Sequence, residues 1–424
     1  MKKELLWQAT ALMVAVAMTG CGQADSDSPV LVIDPVTPPV EGNEYRPIEL
    51  TSEEQQMVSS SNDFAFRLFS QARTDGKSQI LSPLSITFAL GMLNNGAGGE
   101  TQAQISNVLG FHGSGADSIN AFCRKMLTEA TQADRLTKVM LASTIFLNKD
   151  YVLRPQFVER ARTYYDAEPT TCDFSDDQTL EAINQWASDH TEHIIKEVLS
   201  PATFNPQAIS YLLNAIYFKG VWAEQFSKDD TKEEAFSGTQ QLLPTMHMAD
   251  KMFSYTENDL CQAIRLPYGN GAYAMTILLP REDKTVGQVA RSLTAESWEQ
   301  YRWMKETVYA DVKLPRFSSS TDIKLNDIMS ALGMPDAFSA DKAVFTDFCD
   351  SPSHIALMKQ VARIDVSEEG TEAAAVTVIG IDNAAGPDMS QPRHIDFHAQ
   401  RPFIYVISEQ STGAVFFIGQ YLGD

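Results

Sequence analysis

The chain lacks the residue patterns that most catalytic classes require. Its 424 residues contain no Gly-x-Ser-x-Gly, no His-Glu-x-x-His and no phosphate-binding glycine loop, which makes a hydrolytic or nucleotide-using enzyme the weakest class. Basic residues are scarce: 33 Lys and Arg face 55 Asp and Glu, for a net charge of −22. Such acidity opposes a phosphate-binding surface, so nucleic acid is not an expected partner. Apart from Cys21, the cysteines Cys123, Cys172, Cys261 and Cys349 have neither metal-ligand nor redox spacing, and are read as unpaired thiols or, in an oxidising compartment, disulfides. His190 and His193 could share one face of a predicted helix, with no third ligand at metal spacing, and the other histidines, His112, His247, His354, His394 and His398, are scattered. No metal and no cofactor is expected. Internal repeats are also absent.

The N-terminus has a different pattern. Lys2-Lys3, a mostly apolar run from Leu5 to Met18 and Thr19-Gly20-Cys21-Gly22 form the charged, apolar and small-residue regions of a secretory signal, and the run is short for a bilayer span. The cysteine at the cleavage point resembles a bacterial lipoprotein box, which implies removal of residues 1–20, lipidation of Cys21 and membrane attachment through that lipid. Residues 21–50 carry Asp25, Asp27, Asp34, Glu41 and Glu44 among five prolines, a composition that favours an extended tether. The expected location is that of an exported lipoprotein at the outer membrane, facing either the periplasm or the cell surface.

From 51 to 424 the composition suits one fold. Met57, Phe64, Leu68 and Phe69 fall at helical spacing after a cap at Thr51 or Ser52. Ser82-Pro83 opens a second helix, Thr101 to Leu109 a third that ends at Gly110, and Leu180 to Val198 a further helical pattern around Trp186. Strand signals follow at 211–218, 274–279, 307–314, 356–366, 403–408 and 414–418, the first nearly all apolar as in a strand buried on both faces. Helices first and strands afterwards, without βα alternation, predict an α+β fold.

The most distinctive stretch is Glu368-Glu369-Gly370-Thr371-Glu372-Ala373-Ala374-Ala375, which leads into a segment free of proline until Pro387. Odd positions from Thr371 to Ile381 are small or apolar, while Glu372 and Asp382 are even, so a strand here would have one uncharged face. An alanine helix competes at 373–375, but Val376-Thr377-Val378-Ile379 suits a strand better.

Several segments, in order, resemble the serpin family. They are Leu81-Ser82-Pro83-Leu84-Ser85, Gly96-Ala97-Gly98-Gly99-Glu100-Thr101, Asn214-Ala215-Ile216-Tyr217-Phe218-Lys219-Gly220-Val221-Trp222, Leu332-Gly333-Met334, residues 368–375, Arg401-Pro402-Phe403 and Thr412-Gly413. The resemblance implies N-terminal helices around a large central sheet, further sheets, and an exposed reactive-centre loop at about 368–394. It implies a monomeric protease inhibitor rather than an enzyme: a protease cuts the loop, is held as an acyl-enzyme, and the loop inserts as a new strand. By the family's spacing from Glu368 the scissile bond is Ala384-Ala385, with Asn383-Ala384 and Met389-Ser390 as rivals. Alanine there suits an elastase-like serine protease, bound covalently. A non-inhibitory serpin acting as substrate or binding module, or an inhibitor of a cysteine protease, is the alternative. Ser82, Ser85 and Asn214 match the family's shutter cluster, with Gln360 where many members have histidine, and Trp222 matches the tryptophan under the loop's insertion point. The family often has Thr-x-Gly-Lys-Ile where this chain has Thr191-Glu192-His193-Ile194-Ile195.

Overall fold

Helix α1 (Ser52–Ala72) starts where a side chain can replace the missing intrahelical partners of its first amides: Thr51 Oγ1 accepts from Glu54 N at 3.2 Å and the Glu54 carboxylate accepts from Thr51 N at 2.8 Å. The structure, a computed structural model, describes residues 42–371 and 392–424. The lipidation site Cys21, the signal sequence and most of the tether lie outside the described residues. Residues 43–50, assigned by composition to the tether, pack on the domain instead. The Asn43 amide donates to Asp134 at 2.8 Å, Ile48 is buried, and Ile48 N donates to Ser411 Oγ at 2.9 Å. Buried Ile48, half-buried Leu50 and the Asn43 bond suffice to seat a segment whose other residues are exposed.

Strand β1 (Gln79–Leu81) leads into α2 (Pro83–Asn94), buried on every side, with proline at its first turn. Ser82 does not cap it through its side chain; the hydroxyl donates to Phe416 O at 2.8 Å. Then come α3 (Gly99–Leu109), closed by Gly110 at φ 72°, α4 (Ala116–Lys125), β2 (Thr137–Asn148), α5 (Pro155–Tyr165), β3 (Thr170–Cys172) and α6 (Asp177–Asp189). Helix α6 ends nine residues before the predicted Val198. Thr191 Oγ1 donates to Ala187 O and accepts from Ile195 N, and Glu192 and His193 turn the chain with φ of 48° and 65°. His193 therefore occupies, in the left-handed region, the position where the family's glycine would sit without steric cost. His190 and His193 are past the helix end and turn their Nδ1 atoms to Trp186 O and Ser188 Oγ, at 2.8 and 2.9 Å.

The remaining elements are β4 (Ser210–Val221), β5 (Lys232–Ala235), β6 (Leu242–Glu257), β7 (Cys261–Tyr268), β8 (Tyr273–Pro280), α7 (Val286–Ser292), α8 (Ala295–Arg302), β9 (Glu306–Pro315), β10 (Phe317–Lys324), α9 (Asn326–Leu332), β11 (Leu357–Ser367), β12 (Gly370–Thr371), β13 (His394–His398), β14 (Phe403–Glu409) and β15 (Val415–Tyr421). Strands β2, β6, β7 and β10 were not among those the pattern predicted. A six-stranded mixed sheet runs β10-β11-β12-β4-β2-β3, and a nine-stranded one runs β1-β15-β14-β8-β7-β6-β9-β13 with β5 on β6. Helices first, then a large mixed sheet with a second sheet against it, is the expected α+β serpin arrangement. The even residues of β11 and β4, among them Ile364, Ala362, Phe218 and Ile216, face the main core, while Leu213 and Ala215 face a smaller one beside α6. All four described cysteines are free thiols.

Candidate functional site

The site is a seam in the six-stranded sheet. Strands β4 and β11 pair in parallel from Leu357↔Tyr211 to Arg363↔Tyr217, which sets Gln360 opposite Asn214. Above this they separate, and β12 lies between them, antiparallel to both. Thr371 stands opposite Val366 and Gly220, and Gly370 opposite Ser367 and Val221.

Gly370 is required by geometry. Its φ is 143°, and a Cβ there would lie 2.1 Å from Gly220 O and 2.8 Å from Val221 Cα. Thr371 is fully buried, its Oγ1 2.8 Å from Tyr268 OH, and the Tyr268 ring stacks on Trp222 at 4.3 Å and 12°. Burial pushes the Tyr268 phenol well above its ordinary acidity range, so it is a neutral hydroxyl partner. The Trp222 indole N–H donates to Ser367 O at 2.9 Å.

The turn before β12 is anchored rather than loose. Trp222 N donates to Glu369 O and Phe226 N to Glu368 O, at 2.9 and 3.0 Å. The Glu368 carboxylate is buried, accepts from Thr231 Oγ1 at 2.6 Å and pairs with Arg316, while Glu369 pairs with Lys228. Burial raises the pKa of Glu368, but the bonds from Arg316 and Thr231 outweigh it and hold the carboxyl below the ordinary glutamate value of 4.5. A group lowered in the folded state stabilises above its ordinary value and stops doing so as pH falls through the folded one. Glu368→Gln is therefore expected to lower stability at pH 7 by about 1–2 kcal/mol, Arg316 being half exposed. In urea unfolding, the gap between variant and parent should close as pH drops below the glutamate range.

Lower in the seam, Gln360 Oε1 accepts from Ser82 N at 3.0 Å, and its Nε2 lies 2.7 Å from Asn214 Oδ1, 3.0 Å from Ser82 O and 3.2 Å from Ser85 Oγ. Two amide hydrogens serve three acceptors, and the Ser85 hydroxyl, 2.7 Å from Asn214 Oδ1 and 2.9 Å from Ser82 O, supplies the remainder. Asn214 Nδ2 donates to Ser143 Oγ at 2.7 Å. The cluster joins the start of α2 to β4, β11, β2 and, through Phe416 O, β15, and none of its side chains titrates near neutral pH.

The structure thus brings Ser82, Ser85, Asn214 and Gln360 together, and Trp222 with residues 368–371. It does not make residues 368–371 exposed loop: they form a buried turn and strand, and at the other end His394 already begins β13. Glu372, Ala373, Ala374, Ala375, the bond Ala384-Ala385 and its rivals lie outside the described residues. Tyr268, Arg316 and Ser143 went unnoticed in the sequence, and Thr231 stood out only as a position matching the family pattern. Each is an ordinary strand or loop residue whose role depends on a partner more than 50 positions away.

The family profile "Serpin (serine protease inhibitor)" matches residues 59–423. Leukocyte elastase inhibitor A of Rattus norvegicus is 31% identical over 384 residues, 86% of this chain and 99% of that protein. The native structure of tengpin, a thermophilic serpin, superposes with a TM-score of 0.78 at 27% identity, over 90% of this chain and 97% of that one. Human thyroxine-binding globulin, complexed with its hormone, has a TM-score of 0.78 at 23% identity, over 87% and 98%, which is a likeness of fold alone. With the family's profile spanning most of its length, the chain belongs to the serpins, a family generally of protease inhibitors.

Proposed function

We propose that this serpin is inhibitory and traps an elastase-like serine protease by cleavage of Ala384-Ala385. The serine hydroxyl attacks the Ala384 carbonyl, the amine of Ala385 leaves, and residues 372–384 enter the central sheet before water can cleave the ester. The observation that carries this reading is β12, with Thr371 already paired to both β4 and β11. A chain continuing in that register would place Ala373, Ala375 and Thr377 on the core side, and Thr377 would fall opposite both Gln360 and Asn214. The direct bond between those two amides is what such a strand must replace, and a threonine hydroxyl can bond to either. Glu372 would point to the outer face. Alanine before the bond fits the shallow pocket of an elastase-like enzyme. The same reading places the protein on the outer membrane, tethered through lipid on Cys21.

The test is incubation with an elastase-type serine protease. The expected product is an adduct that survives denaturing electrophoresis, a released C-terminal fragment whose mass begins at Ala385, and a rise in thermal stability after loop cleavage. Fragments starting at Ala384 or Ser390 would move the bond without changing the mechanism. Cleavage at every ratio with the protease left active would make the protein a substrate and end the inhibitory reading.

A further inference from the structure

Four side chains of metal-ligand type, from three strands distant in sequence, converge on one face of the nine-stranded sheet. Parallel pairing of β13 with β9 sets Asp396 opposite Asp311 and His398 opposite Lys313, and antiparallel pairing of β6 with β9 sets His247 opposite Lys313 from the other side. Two carboxylates directly opposite each other on a sheet repel. Both imidazoles point at this pair: Nε2 of His247 is 2.5 Å from Asp311 Oδ1 and Nε2 of His398 is 3.8 Å from the same oxygen. Donor atoms of Asp311, Asp396 and His398 lie within 4.8 Å of one another. The His398 nitrogen is the informative one, for it is shielded from solvent, aimed into the cluster and without a hydrogen-bond partner. Lys313 does not fill the gap; its ammonium is held by both oxygens of Glu234 at 2.9 Å.

We propose that His247, Asp311, Asp396 and His398 bind a dication of the zinc type. Two imidazole nitrogens and two carboxylate oxygens suit borderline ions in tetrahedral geometry, where ligand atoms about 2.0–2.1 Å from the ion stand about 3.3 Å apart. The donors of Asp311, Asp396 and His398 already stand within 4.8 Å of one another, and His247 reaches the group through Asp311, so closing to that spacing requires side-chain rotation, most of all at His247. The ion would cancel the Asp311–Asp396 repulsion and fasten β13, the strand that follows residues 372–391, to β9 and β6. Coordination is set by pairing across three strands, so it is independent of the reading of the loop.

The full-length chain, freed of metal by chelator, is titrated with Zn2+ in a calorimeter and then melted with and without the ion. One ion per chain and a raised unfolding midpoint are expected, since binding to the folded state alone stabilises it. His398→Ala and Asp396→Asn should each weaken binding about a hundredfold or more, given that loss of groups behind a ligand already costs about 10–100-fold. His112→Ala, on an exposed turn, should bind as the parent does. Metal-free Asp396→Asn should melt at or above the metal-free parent because a repulsive charge is gone, which separates a binding defect from misfolding. No saturable heat, or a stoichiometric site left intact by either ligand variant, overturns the proposal.

Discussion

If the chain inhibits as proposed, Thr371→Arg is expected to turn it into a substrate. Thr371 is fully buried between β4 and β11 with its hydroxyl on Tyr268, and that ring is stacked on Trp222. A guanidinium cannot discharge itself by losing a proton, and the neighbouring Tyr268 phenol stays neutral, so no counter-ion is at hand. Holding that charge in the seam costs several kcal/mol, whereas leaving residues 370–371 out in water costs little. Insertion and hydrolysis of the ester compete as rates. A barrier raised by about 3 kcal/mol slows insertion about a hundredfold, and hydrolysis then wins. Electrophoresis should show the cut chain with at least about tenfold less adduct and the protease still active. Thr371→Ser, which keeps the hydroxyl on Tyr268, should behave as the parent. Parent-level adduct with arginine at 371 would mean that β12 is not where insertion begins.

Gln360→Glu should be the most damaging isosteric change in the molecule. It replaces the Nε2 donor by an oxygen that faces Asn214 Oδ1, Ser82 O and Ser85 Oγ, all buried. Turning the Asn214 amide over to compensate would set its oxygen against Ala142 O, now 3.3 Å from Nδ2. An uncompensated buried charge costs about 3–5 kcal/mol, or roughly 5 °C in unfolding midpoint at a fixed heating rate for a domain of this size. The new carboxyl would have its pKa raised by burial, and protonation returns a donor to the site. The variant's deficit should therefore be largest at pH 8 and shrink as pH falls towards 5. A deficit that is small or independent of pH would show that the two halves of the seam do not depend on this amide.

Much of the fold was legible because the relevant forces act over a few residues. Thr51 with Glu54, proline after Ser82, Gly110 after Leu109 and the apolar run of β4 each declare an element from within its own stretch. Where the reading failed, a distant or competing group intervened. The Ser82 hydroxyl serves Phe416 rather than its helix, and Thr191 ends α6 by bonding the backbone on both sides. Composition also drew the tether too long, since acidic and proline residues near 45 say nothing about Ile48 finding a place in the core.

By itself the sequence determined the first helices, six of the strands, the family motifs and the alternation from Thr371 onward, because side-chain period and cap chemistry are local properties of the chain. Only the tertiary structure decided that Thr371 already sits in the seam over Tyr268, that Glu368 is held by Arg316 and Thr231, and that histidines scattered at 247 and 398 meet across Asp311. The reason is strand register: pairing between segments tens to hundreds of residues apart selects which side chains share a face, and no local pattern encodes that choice.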